Sequence, residues 1–332
     1  MKRLPAEWEK QEFAMVCFPH FQSDWVYCLD EITETYIQII TKISLYQKCL
    51  IICDDILRVK NILKNTNVLN KNIFLIRIKT NDTWIRDYGC IDMIDKDKII
   101  SYDFIFNGWG LKFDAFLDNK FNQNLNEKQI LNTFLIKKDF VLEGGSIDTN
   151  GKGVLLTTKK CLLEKNRNPT LSQQSIELFL TDNFNLNKII WLEHGYLKGD
   201  DTDSHIDTLA RFIDEKTIVY AKCENANDEH FEELQNMEKE LKNSGFDTIA
   251  LPLPSPVYFK GKRLPATYIN FLFINGAVLV PQYNDEKDKE ILDFFKSFYI
   301  NLDIIPIDST ILIREHGSIH CATMNRWAKL RI

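Results

Sequence analysis

The residue best suited to nucleophilic chemistry is Cys321, which ends the segment His-Gly-Ser-Ile-His-Cys that begins at His316. A single cysteine is usually a small buried hydrophobe. Histidines and a glycine precede this one, and a nearby imidazolium or bound cation would stabilise the thiolate, which is the reactive form. The pattern therefore makes Cys321 a candidate nucleophile.

A histidine and a carboxylate lie close together in the segment from Gly199 to Asp207, Gly-Asp-Asp-Thr-Asp-Ser-His-Ile-Asp. His205 and Asp207 are two residues apart, so on an extended strand both side chains would leave from the same face. An imidazole and a carboxylate would then stand side by side. The alternative interpretation is a solvated acidic loop.

The segment from Thr83 to Gly89, Thr-Trp-Ile-Arg-Asp-Tyr-Gly, could bind a cation. A carboxylate such as Asp87 accepts two parallel hydrogen bonds from a guanidinium, and the face of an indole such as Trp84 stabilises positive charge. The alternative is an exposed loop in which Arg86 and Asp87 pair with each other.

A further carboxylate, Glu143, precedes two glycines in the segment Leu142 to Ser146. Twin glycines allow the backbone to approach a ligand closely, with Glu143 directed inward. A simple turn between strands would use the same two glycines.

Short strands and helices alternate along the chain and must position these segments. Two Asn-Gly pairs, at Asn150 and Asn275, predict hairpin turns. Helical spacing of apolar residues predicts helices over Trp25–Ile43, with Ser23 or Asp24 as the cap, over Phe231–Leu241 and over Asp288–Phe298. Runs rich in Ile, Val and aromatic residues predict strands at Phe13–Phe18, Cys49–Cys53, Asn72–Ile78, Lys98–Phe104, Val154–Thr158, Lys188–Leu192, Thr217–Ala221 and Tyr268–Ile274. The alternation predicts an α/β fold, and because no linker divides the chain we expect one domain over residues 1–332.

Composition narrows the class of protein. The chain has 332 residues, 45% apolar and 27% charged, which is typical of a soluble globular protein. Its net charge of −6 disfavours nucleic-acid binding and weakly favours cationic small molecules. No secretory signal and no apolar run long enough to span a bilayer are visible, so we expect a cytoplasmic protein whose eight cysteines are free thiols.

Together the four segments resemble the agmatine deiminases, a family of the guanidine-modifying pentein superfamily. The resemblance runs from end to end and its strings occur in the family's order. They are Leu4–Glu9, Pro19-His20, Trp84–Gly89, Leu142–Ile147, Leu155–Pro169, Asp201–Asp207, Leu264–Phe271 and Gly317–Cys321. Any one string is weak, but the whole set is highly specific.

The resemblance implies a five-bladed α/β propeller with pseudo-fivefold symmetry and a central active site that needs no metal or organic cofactor. Asp87 and Asp207 would hold the guanidinium, with Trp84 packed on the substrate. Cys321 would attack the guanidinium carbon. His205 would protonate the departing ammonia and then take a proton from water, with Glu143 hydrogen-bonded to it. A homo-oligomer with a role in putrescine synthesis is also implied.

Two positions depart from the family pattern, and several functions stay open. His316 stands where the family usually has Gly, and Cys90 where it usually has Pro. Free arginine or peptidyl-arginine could replace agmatine as substrate, and an amidinotransferase could use the same nucleophile. Outside this class, the chain could be a non-catalytic polyamine-binding protein. It could also be a zinc hydrolase, whose ligands would come from His205, Asp207, His316, His320 and Cys321.

Overall fold

Short strands and helices alternate throughout residues 2–331, the part of the chain described by the structure, a computed structural model. In chain order the strands are β1 (Phe13–Cys17), β2 (Lys48–Cys53), β3 (Ile73–Arg77), β4 (Ile91–Asp95), β5 (Lys98–Ile105), β6 (Leu131–Asn132), β7 (Phe134–Val141), β8 (Ile147–Thr149), β9 (Val154–Thr158), β10 (Lys188–Leu192), β11 (Ala210–Phe212), β12 (Thr217–Lys222), β13 (Asp247–Pro252), β14 (Tyr258–Phe259), β15 (Lys262–Arg263), β16 (Leu272–Ile274), β17 (Ala277–Gln282), β18 (Asp303–Asp308), β19 (Thr323–Arg326) and β20 (Lys329–Leu330).

Nine helical segments and five 3₁₀ turns connect these strands within the described residues. The helices are α1 (Leu29–Tyr46), α2 (Ile56–Asn65), α3 (Ile85–Tyr88), α4 (Gly108–Leu111), α5 (Phe121–Glu127), α6 (Lys159–Leu162), α7 (Gln173–Phe184), α8 (Phe231–Lys242) and α9 (Asp288–Phe298). The 3₁₀ turns are Asp24–Cys28, Asp118–Lys120, Gly144–Ser146, Ile206–Thr208 and Leu312–Glu315.

Five small sheets share one strand arrangement. In each, a central strand pairs antiparallel with one neighbour and parallel with the other. The sheets are β19-β1-β2-β3, β4-β5-β7, β8-β9-β10, β11-β12-β13 and β16-β17-β18. A parallel pair needs a crossover connection, and a helix supplies it in each case. The first sheet joins the two ends of the chain, because β19 pairs with β1.

Each sheet is joined to the next by a connecting segment, and we call these five segments the site loops. They run from the outer parallel strand of one sheet to the antiparallel strand of the next. The site loops are residues 78–90, 142–146, 193–209, 253–271 and 309–322. All four segments predicted from the sequence to carry chemistry lie in site loops.

Most predicted elements are confirmed. Strands β9 and β10 and helix α9 have the predicted bounds, and both Asn-Gly pairs join antiparallel strands. Two predictions were wrong in detail. The predicted helix over 25–43 begins as a 3₁₀ turn, and Ser23 makes no capping hydrogen bond there. The predicted strand Tyr268–Ile274 is extended only over β16, because the residues before it form part of a site loop.

The helices bury one face each against the sheets. Helix α1 buries Ile32, Tyr36, Ile39 and Ile43, which follow helical spacing. Asp55 begins α2 by accepting hydrogen bonds from the backbone of the first turn. Within residues 2–331, no helix combines the length and the apolar character needed to cross a bilayer.

A fully buried ion pair ties β19 to the second sheet, β4-β5-β7. Arg326 donates to Asp92 from Nε and Nη2, both at 2.9 Å, and neither side chain reaches solvent. Asp92 also accepts from Ser101 Oγ at 2.6 Å and from the backbone N–H of Trp327. A charge without its partner is costly in such surroundings.

We therefore expect Asp92→Asn to lower the free energy of unfolding by about 3–5 kcal/mol, because Arg326 loses the charge that compensates it. Urea denaturation followed by circular dichroism measures this. The exposed Asp97, in the turn after β4, provides the control, and its Asn variant should change stability by less than about 0.5 kcal/mol. Equal stability of both variants would contradict the assignment.

Candidate active site

A cavity of about 630 Å³ brings together residues from the site loops. Its lining comprises Asp24, Asp82, Trp84, Asp87, Trp109, Phe113, Asp200, Asp201, Thr202, His205, Asp207, Thr208, Glu315, His316, Gly317 and Cys321. Five of the six predicted site residues are therefore in the lining, and Glu143 is not.

Asp87 is held in place by two donors. It lies in the short helix α3, where all four residues are buried. The backbone N–H of Gly145 donates to Asp87 Oδ1, and Trp109 Nε1 donates to Oδ2, each at 2.9 Å. The alternative of an exposed Arg–Asp pair was wrong, because Arg86 is buried and donates to the carbonyl of His320 instead.

Trp109 reaches Asp87 from an unusual backbone turn. The four residues of α4 have φ values between +54° and +80°, so this single turn is left-handed. That conformation is natural for Gly108 and Gly110 but costs about 1–2 kcal/mol at a residue such as Trp109. Asn107 stabilises the turn by accepting a hydrogen bond from the Gly110 N–H at 3.0 Å. The sequence analysis missed Trp109.

Gly145 marks the point where the charged groups converge. A Cβ atom placed there would lie 2.8 Å from Asp87 Oδ1, 2.8 Å from His205 Nδ1 and 3.0 Å from Asp207 Oδ2. Such contacts are too short for any side chain, so only glycine fits. The twin glycines were predicted to let the backbone approach a ligand closely. In the structure, Gly145 lets three side chains of the site approach the backbone closely.

His205 and Asp207 both line the cavity, but they are not on a strand. His205 precedes the 3₁₀ turn Ile206–Thr208, and Asp207 lies within it. The polar run before them folds into a tight turn, because Asp200 accepts from the backbone of Ser204 at 2.7 Å. Asp203 and Ser204 adopt left-handed φ values there. The predicted extended strand was therefore wrong, although both side chains do reach the same cavity.

His205 faces Asp87 and is cationic in character. Its Nδ1 lies 3.6 Å from Asp87 Oδ1. Burial works to lower the pKa of His205, but the negative charge of Asp87 and the nearby Cys161 and Glu143 raise it well above its usual value. The Nε2 atom is buried and has no hydrogen-bond partner within the described chain.

Asp207 keeps one oxygen free. Its Oδ2 lies 2.7 Å from His320 Nδ1, whereas Oδ1 is buried without a partner among the described residues. Burial works to raise the pKa of Asp207, but the hydrogen bond and charge of His320 bring it below its usual value. An ionised carboxylate with one free oxygen is ready to accept from a cationic ligand.

Cys321 lies against Asp207 and Asn270. Its Sγ is 3.7 Å from Asp207 Oδ2 and 3.3 Å from Asn270 Nδ2, which donates to the sulfur. Burial and the charges of Asp207 and Asp87 raise the pKa of the thiol well above its usual value. The empty cavity therefore favours the neutral thiol, and a bound cation would offset the two carboxylates that oppose ionisation.

Glu143 does not hydrogen-bond to His205 as expected. Its carboxylate accepts from Arg167 Nε at 2.9 and 3.0 Å, and both side chains are completely buried. Arg167 also donates to Asp203 Oδ2 at 2.7 Å, so the ion pair braces the turn that carries His205. Glu143 acts on His205 through its charge, which favours the imidazolium.

The donor atoms do not assemble as the zinc hypothesis required. The group in residues 2–331 whose ligand atoms converge within 4.8 Å is Glu143, Cys161 and His205. Only His205 belongs to the set proposed from the sequence, and Glu143 is occupied by Arg167. Nothing in this geometry favours a zinc hydrolase.

The two departures from the family pattern have different surroundings. His316 has φ +69°, the left-handed region that favours glycine, and its Nδ1 lies 2.6 Å from the carbonyl of Gly199. Its side chain lines the cavity. Cys90 does not line the cavity, and burial raises the pKa of its thiol.

Several residues that support the site were quoted in the sequence motifs without a role. Asn270 accepts from the backbone N–H of His320 at 3.0 Å and of Cys321 at 3.3 Å. Arg167 and Asn270 belong to the strings Leu155–Pro169 and Leu264–Phe271. Their positions could have been found from the family pattern, but their contacts depend on tertiary structure.

Carboxylates surround the rest of the cavity. Asp24, Asp82, Asp201 and Glu315 all line it, and among residues 2–331 no Lys or Arg does so. Burial raises the pKa of Asp82 to about 7 and that of Asp201 to about 6. The cavity thus offers negative charge to a ligand along its length.

Comparisons with known proteins identify the family of this chain. The model of the Porphyromonas-type peptidyl-arginine deiminase family matches residues 3–326. A Legionella pneumophila protein with the provisional name agmatine deiminase is 31% identical, over 97% of this chain and 94% of its own length.

Solved structures of agmatine deiminases have the same mixed α/β single-domain fold. A Cys-to-Ser variant of the C. jejuni agmatine deiminase with substrate bound has a TM-score of 0.95 and 44% identity, covering 100% of this chain and 98% of that one. The Enterococcus faecalis agmatine deiminase has a TM-score of 0.86 and 27% identity, covering 100% and 96%. The predicted resemblance to these hydrolases of a C–N bond is confirmed, and the chain belongs to the Porphyromonas-type peptidyl-arginine deiminase family.

Proposed function

We propose that this protein hydrolyses agmatine to N-carbamoylputrescine and ammonia through a covalent thiouronium intermediate on Cys321. One observation carries the proposal: two buried carboxylates, Asp87 and Asp207, converge beside the Cys321 thiol. A guanidinium placed between them would present its central carbon to the sulfur. The names of the C. jejuni and E. faecalis structures support agmatine as the substrate.

Binding would use the groups that the empty site leaves unsatisfied. The free Oδ1 of Asp207 and the carboxylate of Asp87 would accept from the guanidinium, and Trp84 would cover it. Burial and the charge of Asp207 raise the pKa of Asp87 in the empty cavity. A bound cation would offset both effects, so substrate binding and ionisation of the carboxylates support each other.

The first half-reaction would form the thiouronium. The Cys321 thiol gives its proton to solvent water once the bound cation neutralises Asp87 and Asp207, and the sulfur then bonds to the guanidinium carbon as its C=N double bond becomes a single bond. The tetrahedral intermediate collapses as its C–N bond breaks. His205, which is protonated in these surroundings, donates its proton to the leaving nitrogen, which departs as ammonia.

The second half-reaction would restore the enzyme. Water gives a proton to His205 and bonds to the thiouronium carbon, and the C–S bond then breaks to release the ureido product. As the C–S bond breaks, the thiolate takes the hydroxyl proton of the product, and the ammonia takes up the proton that the thiol gave to solvent. The balance is one guanidinium cation and one water converted to one ureido group and one ammonium ion. Glu143 favours the charged form of His205 in each cycle.

The lining of the cavity favours agmatine over arginine. Agmatine ends in an ammonium, which the carboxylates of Asp24, Asp82, Asp201 and Glu315 would attract. Arginine would bring an additional carboxylate into the same acidic surroundings, and among residues 2–331 no Lys or Arg lines the cavity to receive it. Peptidyl-arginine lacks that negative charge and is the second substrate to test.

The other expectations drawn from the resemblance remain part of the proposal. We propose that the five sheets are the blades of a pseudo-fivefold propeller, since all contain the same arrangement of three strands and each site loop brings one residue to the group formed by Asp87, Gly145, Asp207, Asn270 and Cys321. Residues 1–332 would form one deiminase domain that assembles as a homo-oligomer. A cytoplasmic location and a role in putrescine synthesis fit the free cysteines and the ureido product.

The activity test compares three substrates. We expect the purified protein to form a ureido product from agmatine, with much slower turnover of free arginine and of a blocked arginine peptide. Cys321→Ala should abolish turnover but still bind agmatine in calorimetry. A binding protein would instead bind agmatine without turnover in either form, and preferred turnover of arginine would refute the assigned substrate.

Alkylation tests the protonation state of Cys321. Because burial, Asp207 and Asp87 raise the pKa of its thiol, neutral iodoacetamide should label Cys321 slowly at pH 7. The cationic chloroacetamidine should inactivate at least about tenfold faster relative to its rate with free cysteine, since it supplies the missing positive charge. Mass spectrometry locates the label. Asp207→Asn should remove most of this preference, and its persistence would contradict the role of that carboxylate.

The pH dependence tests the carboxylates that would meet the ammonium. With pKa values raised to about 7 for Asp82 and about 6 for Asp201, protonation below pH 7 removes negative charge from the lining. The kcat/KM for agmatine, divided by that for butylguanidine, should therefore fall by about three- to tenfold between pH 8 and pH 5.5. Butylguanidine is the matched control because its tail is uncharged. A constant ratio would show that these carboxylates do not recognise the ammonium.

A further inference from the structure

The N-terminal segment Leu4–Glu9 reaches the site, although the proposed chemistry gives it no role. Glu7, in this segment, is nearly buried and accepts a hydrogen bond from the backbone N–H of Phe273 at 2.8 Å. Arg211 Nη2 lies 3.0 Å from Glu7 Oε1, and Arg86 Nη2 lies 3.5 Å from Oε2. One hydrogen bond and two ion-pair contacts thus hold Glu7 in position.

His320 connects this carboxylate to the active site. Its Nε2 lies 2.7 Å from Glu7 Oε2, and its Nδ1 lies 2.7 Å from Asp207 Oδ2. An ionised carboxylate only accepts hydrogen bonds, so a ring that donates to both carboxylates would carry a hydrogen on each nitrogen. The side chain is 3% exposed, and water therefore does not compete for either contact.

Both carboxylates are ionised in these surroundings. Burial works to raise the pKa of Glu7, but Arg211, His320 and Arg86 bring it far below its usual value. The pKa of Asp207 is also below its usual value, through His320 and other cations. Contacts therefore run without a break from the Glu7 carboxylate through the His320 ring to the Asp207 carboxylate.

We propose that Glu7 and His320 are positioning residues for deimination: a protonated His320, fixed by Glu7, keeps Asp207 ionised and directs its free oxygen at the guanidinium. The inference rests on the proposed function. His320 occupies Asp207 Oδ2, so Oδ1 remains for the substrate. Neither Glu7 nor His320 touches the substrate cavity, and both act through Asp207.

The contacts from Glu7 through His320 to Asp207, which we call the bridge, connect the linings of two cavities. Asp207 lines the substrate cavity, whereas Glu7 and His320 line a second cavity of about 550 Å³. The two linings share no residue. A substitution at Glu7 or His320 therefore changes no residue that lines the substrate cavity. The effect on the charge of Asp207 can then be measured while the lining residues of the cavity are the same.

Other charged residues also lie close to the bridge, and they influence the pH at which Asp207 is protonated. Asp207 is faced by Asp87, His205, Arg86, Arg211, His320 and Cys321. His320 is faced by Glu7, Asp207 and Asp148. Loss of the imidazolium removes both a charge and a hydrogen bond from Asp207, and burial then favours the protonated carboxyl.

The first measurement is ¹⁵N NMR of the histidine rings in the full-length protein without substrate. We expect both ring nitrogens of His320 to carry hydrogen at pH 8, the signals being those that disappear in His320→Gln. In Glu7→Gln the ring should lose a proton between pH 6 and pH 8, since one carboxylate partner is gone. A neutral ring at pH 6 in the unsubstituted protein would overturn the proposal.

The second measurement is the pH profile of kcat/KM with butylguanidine, whose uncharged tail avoids the carboxylates of the lining. His320→Gln should raise KM at least about tenfold and move the acid limb up by about one to two pH units, as loss of a charged hydrogen bond does. Glu9→Gln is the matched control in the same segment. It breaks the pair between Glu9 and Arg3 and should leave the profile unchanged.

The outcomes separate this inference from the proposed function. NMR needs no turnover, so a protonated His320 in a protein that does not convert agmatine would refute the function and leave the bridge standing. Turnover with an unchanged acid limb and KM in His320→Gln would refute the positioning role alone. If His320→Gln does not fold, the NMR titration of Glu7→Gln decides the matter.

Discussion

The structure depends on the burial of two carboxylates beside one thiol. Ionised groups removed from water are costly unless they are paired and hydrogen-bonded. The protein compensates Asp87 with a backbone N–H, an indole N–H and His205, and it compensates Asp207 with His320. It stops short of full compensation, because one oxygen of Asp207 stays free. A guanidinium would donate a hydrogen bond to this oxygen and supply the positive charge that the two carboxylates lack.

The five site loops explain how one small volume receives so many charged groups. Each loop carries a residue of the site: Asp87, Gly145, Asp207, Asn270 and Cys321 come one from each. The sheets hold these loops rigidly, since each central strand is paired on both sides. A site assembled in this way needs little regular structure at the reacting atoms, which explains why His205 and Asp207 lie in a tight turn rather than on a strand.

Residues outside the loops finish the site by supporting the charges. Trp109 comes from a strained left-handed turn between β5 and β7, and Arg167 from the connection between β9 and β10. Both satisfy buried carboxylates, Asp87 and Glu143 respectively. Strain at Trp109 persists because its indole N–H has a charged partner that water cannot reach.

Short stretches of the sequence were enough to predict most of the strands and helices and the kinds of side chain in the site. Periodicity identified most strands and helices, the Asn-Gly pairs identified two hairpins, and the motifs identified Cys321, His205 and the two aspartates. Each of these signals lies within a few neighbouring residues, where steric and hydrogen-bonding preferences act directly.

Which side chains come into contact depends on how distant parts of the chain pack together. Glu7 and His320 are 313 positions apart, and Asp87 and Trp109 are 22 apart in different elements. The tertiary structure also replaced the expected partner of Glu143 with Arg167 and separated Cys90 from the cavity. No local pattern encodes such contacts, because they arise when five sheets of unrelated sequence pack together. Burial then fixes which atoms are charged and which stay unpaired.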